Sequence, residues 1–288
     1  MSVSSTLYHD IASRTNGEIH IGVVGPVRTG KSTFIKKFMD TLVVPNIESE
    51  AGRERAIDTL PQSAAGRIVM TTEPKFVPES ASEITLCDNV HMKVRLIDCV
   101  GYIVPGAGGL TEDEKPRMVS TPWQDEPMPF EKAAEIGTQK VINEHSTIGI
   151  LVTTDGSFGE IERDAYLDAE RRVATELKNQ NKPFVIVLNS STPESEETQA
   201  LALEMEENYG VPVALVSCLN LNENDILEIL SLVLLEFPVK EIRADVPLWI
   251  SSLSPEHPLR SRITEGISEI AQNISRIGQI NEMFEGAS

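Results

Sequence analysis

Short apolar runs alternate with longer amphipathic segments over most of this 288-residue chain. The short runs are rich in Val, Ile and Leu, which is typical of buried parallel strands. They are Ile19–Val24, Thr147–Thr153, Phe184–Leu188 and Val211–Val216. In the longer segments apolar residues recur every three or four positions, which predicts helices. These are Lys31–Leu42, Glu131–Asn143, Glu160–Asn179, Pro193–Tyr209 and Glu223–Phe237. The alternation predicts an α/β fold, with a mostly parallel sheet covered by helices on both faces.

Other segments interrupt this alternation. Ile84–Cys87 and Met92–Ile97 flank a turn-forming Asp-Asn pair and predict a β-hairpin. The polar, proline-broken segment Asn46–Glu79 predicts a long loop with room for a short helix. The Gly- and Pro-rich segment Val100–Phe130 also predicts a loop, and loops of this length are usually functional.

The C-terminal segment Leu248–Gly286 has a helical pattern of its own, in which isoleucines form one apolar face. These isoleucines are Ile263, Ile267, Ile270, Ile274, Ile277 and Ile280. We therefore divide the chain into a main domain over residues 1–238 and a helical extension over residues 239–288.

Composition excludes several functions. The net charge is −19, and no cluster of Lys and Arg is present, so we expect no nucleic-acid binding. The most apolar stretch, Ile226–Phe237, is too short and too charged to span a membrane. The N-terminus lacks the pattern of a signal peptide. The three cysteines are widely spaced, which favours reduced thiols in a cytoplasmic protein over disulfides or a zinc site.

The residues Gly25-Pro26-Val27-Arg28-Thr29-Gly30-Lys31-Ser32 match the pattern G-x-x-x-x-G-K-[ST] of a phosphate-binding P-loop. A glycine-rich turn before a helix is the simpler alternative, but the motif follows a predicted strand and opens a predicted helix, as phosphate binding requires. Lys31 is then expected to reach the β- and γ-phosphates, and Ser32 to bind Mg²⁺. The predicted fold is therefore that of a P-loop NTPase.

Asp98 ends the second strand of the predicted hairpin and begins the D-x-x-G pattern Asp98–Gly101. After a P-loop, this aspartate is typically the acid that holds Mg²⁺, and the glycine approaches the γ-phosphate. Thr71 and Thr72 lie in the loop where switch proteins carry a threonine that senses the γ-phosphate and completes the Mg²⁺ shell. The sequence leaves open which of the two does so.

The segment after the predicted strand Phe184–Leu188 bears on the base of the nucleotide. Guanine-specific switch proteins carry N-K-x-D there, whereas this chain has Asn189-Ser190-Ser191-Thr192. A site that has lost the carboxylate loses the hydrogen bonds that select guanine, so we expect ATP. The expected catalytic residues are Lys31, Asp98, Thr71 and Thr72, and the expected Mg²⁺ ligands are Ser32, Asp98 and Thr72. The expected nucleotide-binding residues are Gly25, Pro26, Val27, Arg28, Thr29, Gly30, Lys31, Ser32, Thr33, Gly101 and Asn189.

Longer stretches around these motifs resemble one family. Residues 22–39, 60–66, 70–78 and 98–102 are similar to stage IV sporulation protein A, a spore-coat morphogenetic ATPase family within the translation-factor-related, GTPase-like branch of P-loop proteins. The resemblance implies an ATPase domain over residues 1–238. It also implies that residues 239–288 lead into a middle and C-terminal region that lies outside this chain.

The family resemblance also implies a cellular role. It implies Mg²⁺-dependent ATP hydrolysis that drives self-assembly into the basement layer of the bacterial spore coat, in the mother-cell cytoplasm at the forespore surface. Implied partners are further copies of the chain, spore coat and encasement proteins, and a small membrane-anchoring coat protein that binds through the absent C-terminal region. The alternatives left open are a GTP- or ATP-dependent conformational switch and a structural module that binds nucleotide without turnover.

Overall fold

The computed structural model describes residues 15, 17–61, 73–86, 90–112 and 115–279. Its strands, in chain order, are β1 (Glu18–Val24), β2 (Lys75–Leu86), β3 (Val90–Asp98), β4 (Thr111–Glu112), β5 (Lys115–Pro116), β6 (Met118–Thr121), β7 (Gln124–Pro129), β8 (Ile148–Thr154), β9 (Phe184–Asn189) and β10 (Val213–Val216). Six of them form the central sheet, in the order β10–β9–β8–β1–β3–β2. All neighbours in this sheet are parallel except β2, which runs antiparallel to β3 at one edge.

The helices connect these strands. They are α1 (Lys31–Phe38), α2 (Glu50–Asp58), α3 (Phe130–Lys140), α4 (Leu167–Asn179), α5 (Glu196–Tyr209), α6 (Glu223–Leu235), α7 (Leu248–Ser251) and α8 (Pro258–Asn273). Wider π-helical turns extend α1 through Met39–Val43 and α3 through Val141–His145, and a 3₁₀ turn, Arg163–Tyr166, precedes α4.

The central strands are covered on both faces. Every side chain of β8 and of β9 is buried, although successive side chains of a strand point to opposite faces. This explains why these strands have continuous apolar sequences rather than alternating ones. The predicted α/β fold with a mostly parallel sheet is confirmed, and the carboxyl ends of β1, β3, β8 and β9 meet at one edge of the sheet.

Several predicted boundaries are wrong. The strand β2 begins at Lys75, inside the segment predicted as a loop, and the predicted loop Val100–Phe130 contains two small hairpins, β4–β5 and β6–β7. The turn of the large hairpin lies outside the described residues. The C-terminal helix α8 ends at Asn273, so Ile274 and Ile277 lie beyond it, and Ile270 is 42% exposed. A single apolar face along Ile263–Ile277 therefore does not form.

Residues 1–234 and 235–288 are two compact units. In the smaller unit, α7 and α8 pack together, and the chain after α8 pairs with Pro238 through Arg276. An ion pair between Arg276 and Glu236, with an N–O distance of 2.5 Å, joins the same two segments. None of the helices in the described residues is both long and apolar enough to cross a membrane.

Candidate nucleotide-binding site

The P-loop joins β1 to α1 at the carboxyl edge of the sheet, and close approaches of its backbone require its glycines. A Cβ on Gly25 would lie 2.2 Å from the carbonyl oxygen of Val152, and a Cβ on Gly30 would lie 2.4 Å from Nδ2 of Asn189. Both glycines also have positive φ, of 139° and 96°. The loop therefore leads directly into the N-terminus of α1, whose first turn carries no acidic residue. A helix N-terminus of this kind favours a bound phosphate.

Lys31 lies inside the curve of this loop. Its side chain is buried, and Nζ donates a hydrogen bond to the carbonyl oxygen of Pro26 at 2.5 Å. Burial lowers the pKa of Lys31, while the neighbouring Cys99 and Asp98 oppose that shift. A buried ammonium with a carbonyl as its hydrogen-bond acceptor is stabilised further by an anionic ligand, and a phosphate would supply that charge.

Asp98 and Ser32 form the second part of the site. The register of the sheet places Asp98, at the end of β3, beside Val23 of β1. Oγ of Ser32 donates to Oδ2 of Asp98 at 3.3 Å, while Oδ1 is buried and has no hydrogen-bond partner among the described residues. Burial raises the pKa of Asp98 to about 6, and Lys31 and Ser32 oppose the shift.

These oxygens suit a magnesium ion. An orphaned carboxylate oxygen beside a hydroxyl offers the hard ligands that Mg²⁺ prefers, and bound Mg²⁺ would compensate the buried charge. The described residues contain no cluster of three or more His, Cys, Asp and Glu side chains suited to a metal. Ser32 and Asp98 would provide a partial shell, as is usual where substrate phosphates and water complete the coordination of Mg²⁺.

Gly101 lies directly against the P-loop. Its φ is 94°, and a Cβ there would lie 2.2 Å from the carbonyl oxygen of Gly25 and 2.6 Å from Nζ of Lys31. The next residue, Tyr102, accepts a hydrogen bond at its carbonyl oxygen from the amide of Val27, with an N–O distance of 2.9 Å. The D-x-x-G segment and the P-loop thus form one connected backbone structure.

Asn189 connects the P-loop to a second loop. Its Nδ2 donates to the carbonyl oxygen of Thr29 at 3.0 Å, and its Oδ1 accepts from the amide of Cys218 at 2.9 Å. The amide group therefore positions the P-loop against the segment after β10. Direct contact between Asn189 and a nucleotide stays a prediction.

The remaining residues of the predicted site occupy different positions. Arg28 is exposed, with a left-handed φ of 63°, while Val27 and Thr29 on either side are buried. Pro26 accepts hydrogen bonds at its carbonyl oxygen from Lys31 and from the hydroxyl of Thr29. Thr33 lies half-buried in the first turn of α1. The structure thus brings the whole P-loop, Asp98, Gly101 and Asn189 together at one end of the sheet.

Two sequence profiles of one family together span nearly the whole chain. The ATPase domain of stage IV sporulation protein A matches residues 3–238, and the middle domain of the same protein matches residues 239–288. The chain belongs to the stage IV sporulation protein A family. The resemblance inferred from the motifs is thereby confirmed, and the domain that holds the P-loop is an ATPase domain of this family.

Relatives in the stage IV sporulation protein A family are similar along almost all of the chain. The protein of Bacillus subtilis (strain 168) is 50% identical over 277 residues, which cover 96% of this chain and 56% of that protein. The protein of Clostridioides difficile (strain 630) is 51% identical over 286 residues, which cover 99% of this chain and 58% of that protein. The chain therefore spans a little over half the length of the curated relatives it matches.

The similarity of this chain to solved structures is much weaker than its similarity to these relatives. A GTP-binding protein from the hyperthermophilic archaeon Sulfolobus solfataricus, in complex with GDP, is 16% identical to this chain. Its TM-score is 0.41 over 80% of this chain and 56% of that chain. The fold is defined by the sheet order β10–β9–β8–β1–β3–β2 and not by this weak similarity.

Thr71 and Thr72 lie outside the described residues. Their assignment as the threonines that sense the γ-phosphate and complete the Mg²⁺ shell in this member of the stage IV sporulation protein A family stays a prediction.

A buried network around Glu170 was not predicted from the sequence. The segment Glu160–Asn179 is not a single helix, because a 3₁₀ turn begins it, and Glu170 within it is fully buried. Arg163 forms a bidentate pair with Glu170, at 2.5 and 2.9 Å, and the hydroxyls of Thr153 and Tyr209 donate to the same carboxylate. The spacing gave a signal, since Glu170 follows Tyr166 by four positions and precedes Val173 by three, which places it on the apolar face.

Replacing Gly101 with alanine is expected to lower ATP turnover at least roughly tenfold, equivalent to about 1.4 kcal/mol in the barrier. The added Cβ would meet backbone and Lys31 at distances that no real Cβ tolerates, so the D-x-x-G segment must move away from the P-loop. Phosphate release measures the effect. The control is Gly17→Ala, because Gly17 also has a positive φ, of 74°, but a Cβ there meets nothing within 4 Å. Equal turnover in the two variants would contradict the expected role of Gly101.

Proposed function

We propose that this chain binds ATP with Mg²⁺ and hydrolyses it, as the ATPase part of a morphogenetic protein that assembles into the basement layer of the bacterial spore coat. The observation that carries the proposal is the convergence of Lys31, Ser32 and Asp98 at the mouth of a P-loop, inside a match to an ATPase domain. Each of the three has a buried or partly buried polar group that a bound Mg-nucleotide would complement, and two of these groups, on Lys31 and Asp98, are ionisable.

The residues of the site have distinct tasks in this proposal. The P-loop amides and the N-terminus of α1 hold the phosphates, and Lys31 offsets the negative charge that develops on the transferred group. Ser32 and Asp98 hold Mg²⁺, which when bound neutralises phosphate charge and polarises the bond to be broken. Gly101 brings its backbone to the same place from the opposite side, since it packs against Gly25 and Lys31.

The segment after β9 supports ATP over GTP. Residues 189–192 contain no carboxylate, and their polar groups have local partners. The side-chain amide of Asn189 bonds to the backbone through both its nitrogen and its oxygen. The hydroxyl of Ser190 accepts from the backbone amide of Thr192 at 2.9 Å, and the backbone amide of Ser191 donates to the hydroxyl of Ser157 at 2.8 Å. A guanine edge would find no ionised acceptor in this segment.

The cellular part of the proposal rests on family membership. Relatives that are 50% and 51% identical carry the name stage IV sporulation protein A, and the match includes both the ATPase and the middle domain. We infer self-association in the mother cell at the forespore surface, with coat and encasement proteins and a small membrane-anchoring coat protein as partners. The alternative is a GTP- or ATP-dependent conformational switch, and the ATPase description disfavours the GTP-dependent form of it.

Phosphate release with Mg-ATP and with Mg-GTP tests the proposal, together with sedimentation of the chain after each incubation. ATP turnover is expected to exceed GTP turnover at least roughly tenfold, equivalent to about 1.4 kcal/mol of discrimination, and ATP alone is expected to produce sedimenting assemblies. Faster GTP turnover would overturn the assignment of the base. Binding of ATP without any turnover would mean that the site is structural in this chain.

A further inference from the structure

Tyr102, which follows the D-x-x-G pattern directly, is almost completely buried, with 4% of its surface exposed. We infer that Tyr102 is a positioning residue for ATP hydrolysis, which holds Gly101 against the P-loop through its own contacts with the P-loop and with α4. This inference rests on the ATPase activity proposed above. It concerns a residue that does not reach the reacting atoms and acts through its neighbour in the chain.

The main chain of Tyr102 is fixed to the P-loop. Its carbonyl oxygen accepts the hydrogen bond from the amide of Val27, and the residue forms an isolated parallel bridge with Pro26. These contacts resume the parallel pairing of β1 with β3 beyond the ends of both strands, with a shift of one residue in register. The D-x-x-G segment therefore crosses the P-loop in a defined register and not as a free loop.

The side chain of Tyr102 is fixed to helix α4. Its hydroxyl donates to Oε2 of Glu176 on α4 at 2.5 Å, and the guanidinium of Arg172 lies 4.3 Å from the centre of its ring. Arg172 also donates to Glu176 at 3.2 Å and forms an ion pair with Glu135 on α3. Burial and the bond to Glu176 hold the pKa of Tyr102 well above its usual range, so the phenol stays a neutral donor.

Gly101 requires this kind of support. A glycine has no side chain to hold its position, and its backbone is more permissive than that of any other residue type. Yet its backbone lies so close to Gly25 and Lys31 that a single Cβ would not fit. Since catalysis is sensitive to displacements of about 1 Å, an anchor at the adjacent residue determines how well Gly101 is placed. Tyr102 is that anchor, because it is held by its main chain and by its phenol at once.

A matched pair of variants separates positioning from stability. Tyr102→Phe removes the hydroxyl that bonds Glu176. Tyr209→Phe removes a hydroxyl of the same kind, since Tyr209 donates to Glu170 at 2.7 Å and Glu170 is likewise paired with an arginine. Both variants keep the ring and lose one hydrogen bond to a carboxylate. Their thermal midpoints are therefore expected to fall by similar amounts.

Their kinetics are expected to differ. Tyr102→Phe lowers kcat for ATP roughly tenfold, equivalent to about 1.4 kcal/mol, and changes KM less than about twofold, because ground-state binding of the phosphates is retained. Tyr209→Phe leaves both constants near the wild-type values. Equal kcat in the two variants would overturn the inference, and so would a rise in KM at unchanged kcat.

Hydrogen exchange provides a readout that does not need turnover. The amide of Val27 donates to Tyr102, so Tyr102→Phe is expected to accelerate exchange at Val27 several-fold, whereas Tyr209→Phe is not. Absence of ATP turnover in the wild type would count against the proposed function alone. Unchanged exchange at Val27 in Tyr102→Phe would count against the positioning role alone.

Discussion

Replacing Lys31 with alanine is expected to lower ATP turnover by roughly 10²–10³-fold, the usual cost of removing one preorganised group that stabilises developing charge. Lys31 is buried within the P-loop and its ammonium lies beside Gly101, so the variant loses the cation at the centre of the loop. Steady-state phosphate release from Mg-ATP measures the loss. The variant is expected to fold, since the lysine is held by a single hydrogen bond to Pro26.

The control for this prediction lies on the same helix. Lys36 is exposed on α1, so Lys36→Ala removes the same charge without touching the P-loop, and turnover is expected to stay within about twofold of the wild type. Retention of more than a tenth of the wild-type turnover in Lys31→Ala would contradict the assignment of Lys31 to the phosphates.

Replacing Glu170 with alanine is expected to destabilise the main unit by about 3–5 kcal/mol. The substitution leaves the guanidinium of Arg163 largely buried without its carboxylate, and the hydroxyls of Thr153 and Tyr209 lose their acceptor. The thermal midpoint is expected to fall on the order of 10 °C, because each kilocalorie shifts the midpoint of a domain of this size by a few degrees. Differential scanning calorimetry measures both quantities.

A surface ion pair provides the comparison for Glu170. Glu144 pairs with Lys140 at 3.3 Å, but both side chains are solvent-accessible, so Glu144→Ala is expected to cost less than about 1 kcal/mol. A double variant, Glu170→Leu with Arg163→Met, is expected to recover part of the lost stability, since it removes both buried charges. Equal midpoints for Glu170→Ala and Glu144→Ala would show that the buried network does not stabilise the fold.

Much of the fold is predictable because the decisive signals are local. The strands β1, β8 and β9 are buried on both faces, and their continuous apolar runs separate them from the helices. The strand β2 is harder to recognise, because it lies at the edge of the sheet and carries Pro78 together with polar residues such as Glu79 and Glu83. An edge strand tolerates proline and polar side chains, so apolar periodicity does not mark where it begins.

The candidate site likewise has a part that the sequence predicts and a part that it does not. The P-loop and the D-x-x-G segment were found because their chemistry depends on residues at fixed short spacing. The partners of Tyr102 and Glu170 were not found from the sequence. Tyr102 bonds to Glu176 across 74 positions of the chain, and Tyr209 bonds to Glu170 across 39. Only the packing of α4 against the sheet and against α5 brings these groups together, and no single segment of the sequence encodes that packing.

The two hydrogen bonds of Asn189 make this residue harder to replace than the three residues that follow it. Its amide connects the P-loop to the segment after β10, so a change there disturbs the phosphate site whatever base is bound. The hydrogen bonds of Ser190 and Ser191 run instead to Thr192, to Val216 on β10 and to Ser157, so a change at these residues acts first on those segments and not on the P-loop. A protein descended from one with N-K-x-D could therefore lose the lysine and the aspartate, and with them the preference for guanine. Asn189 would still hold the P-loop in position for the phosphates.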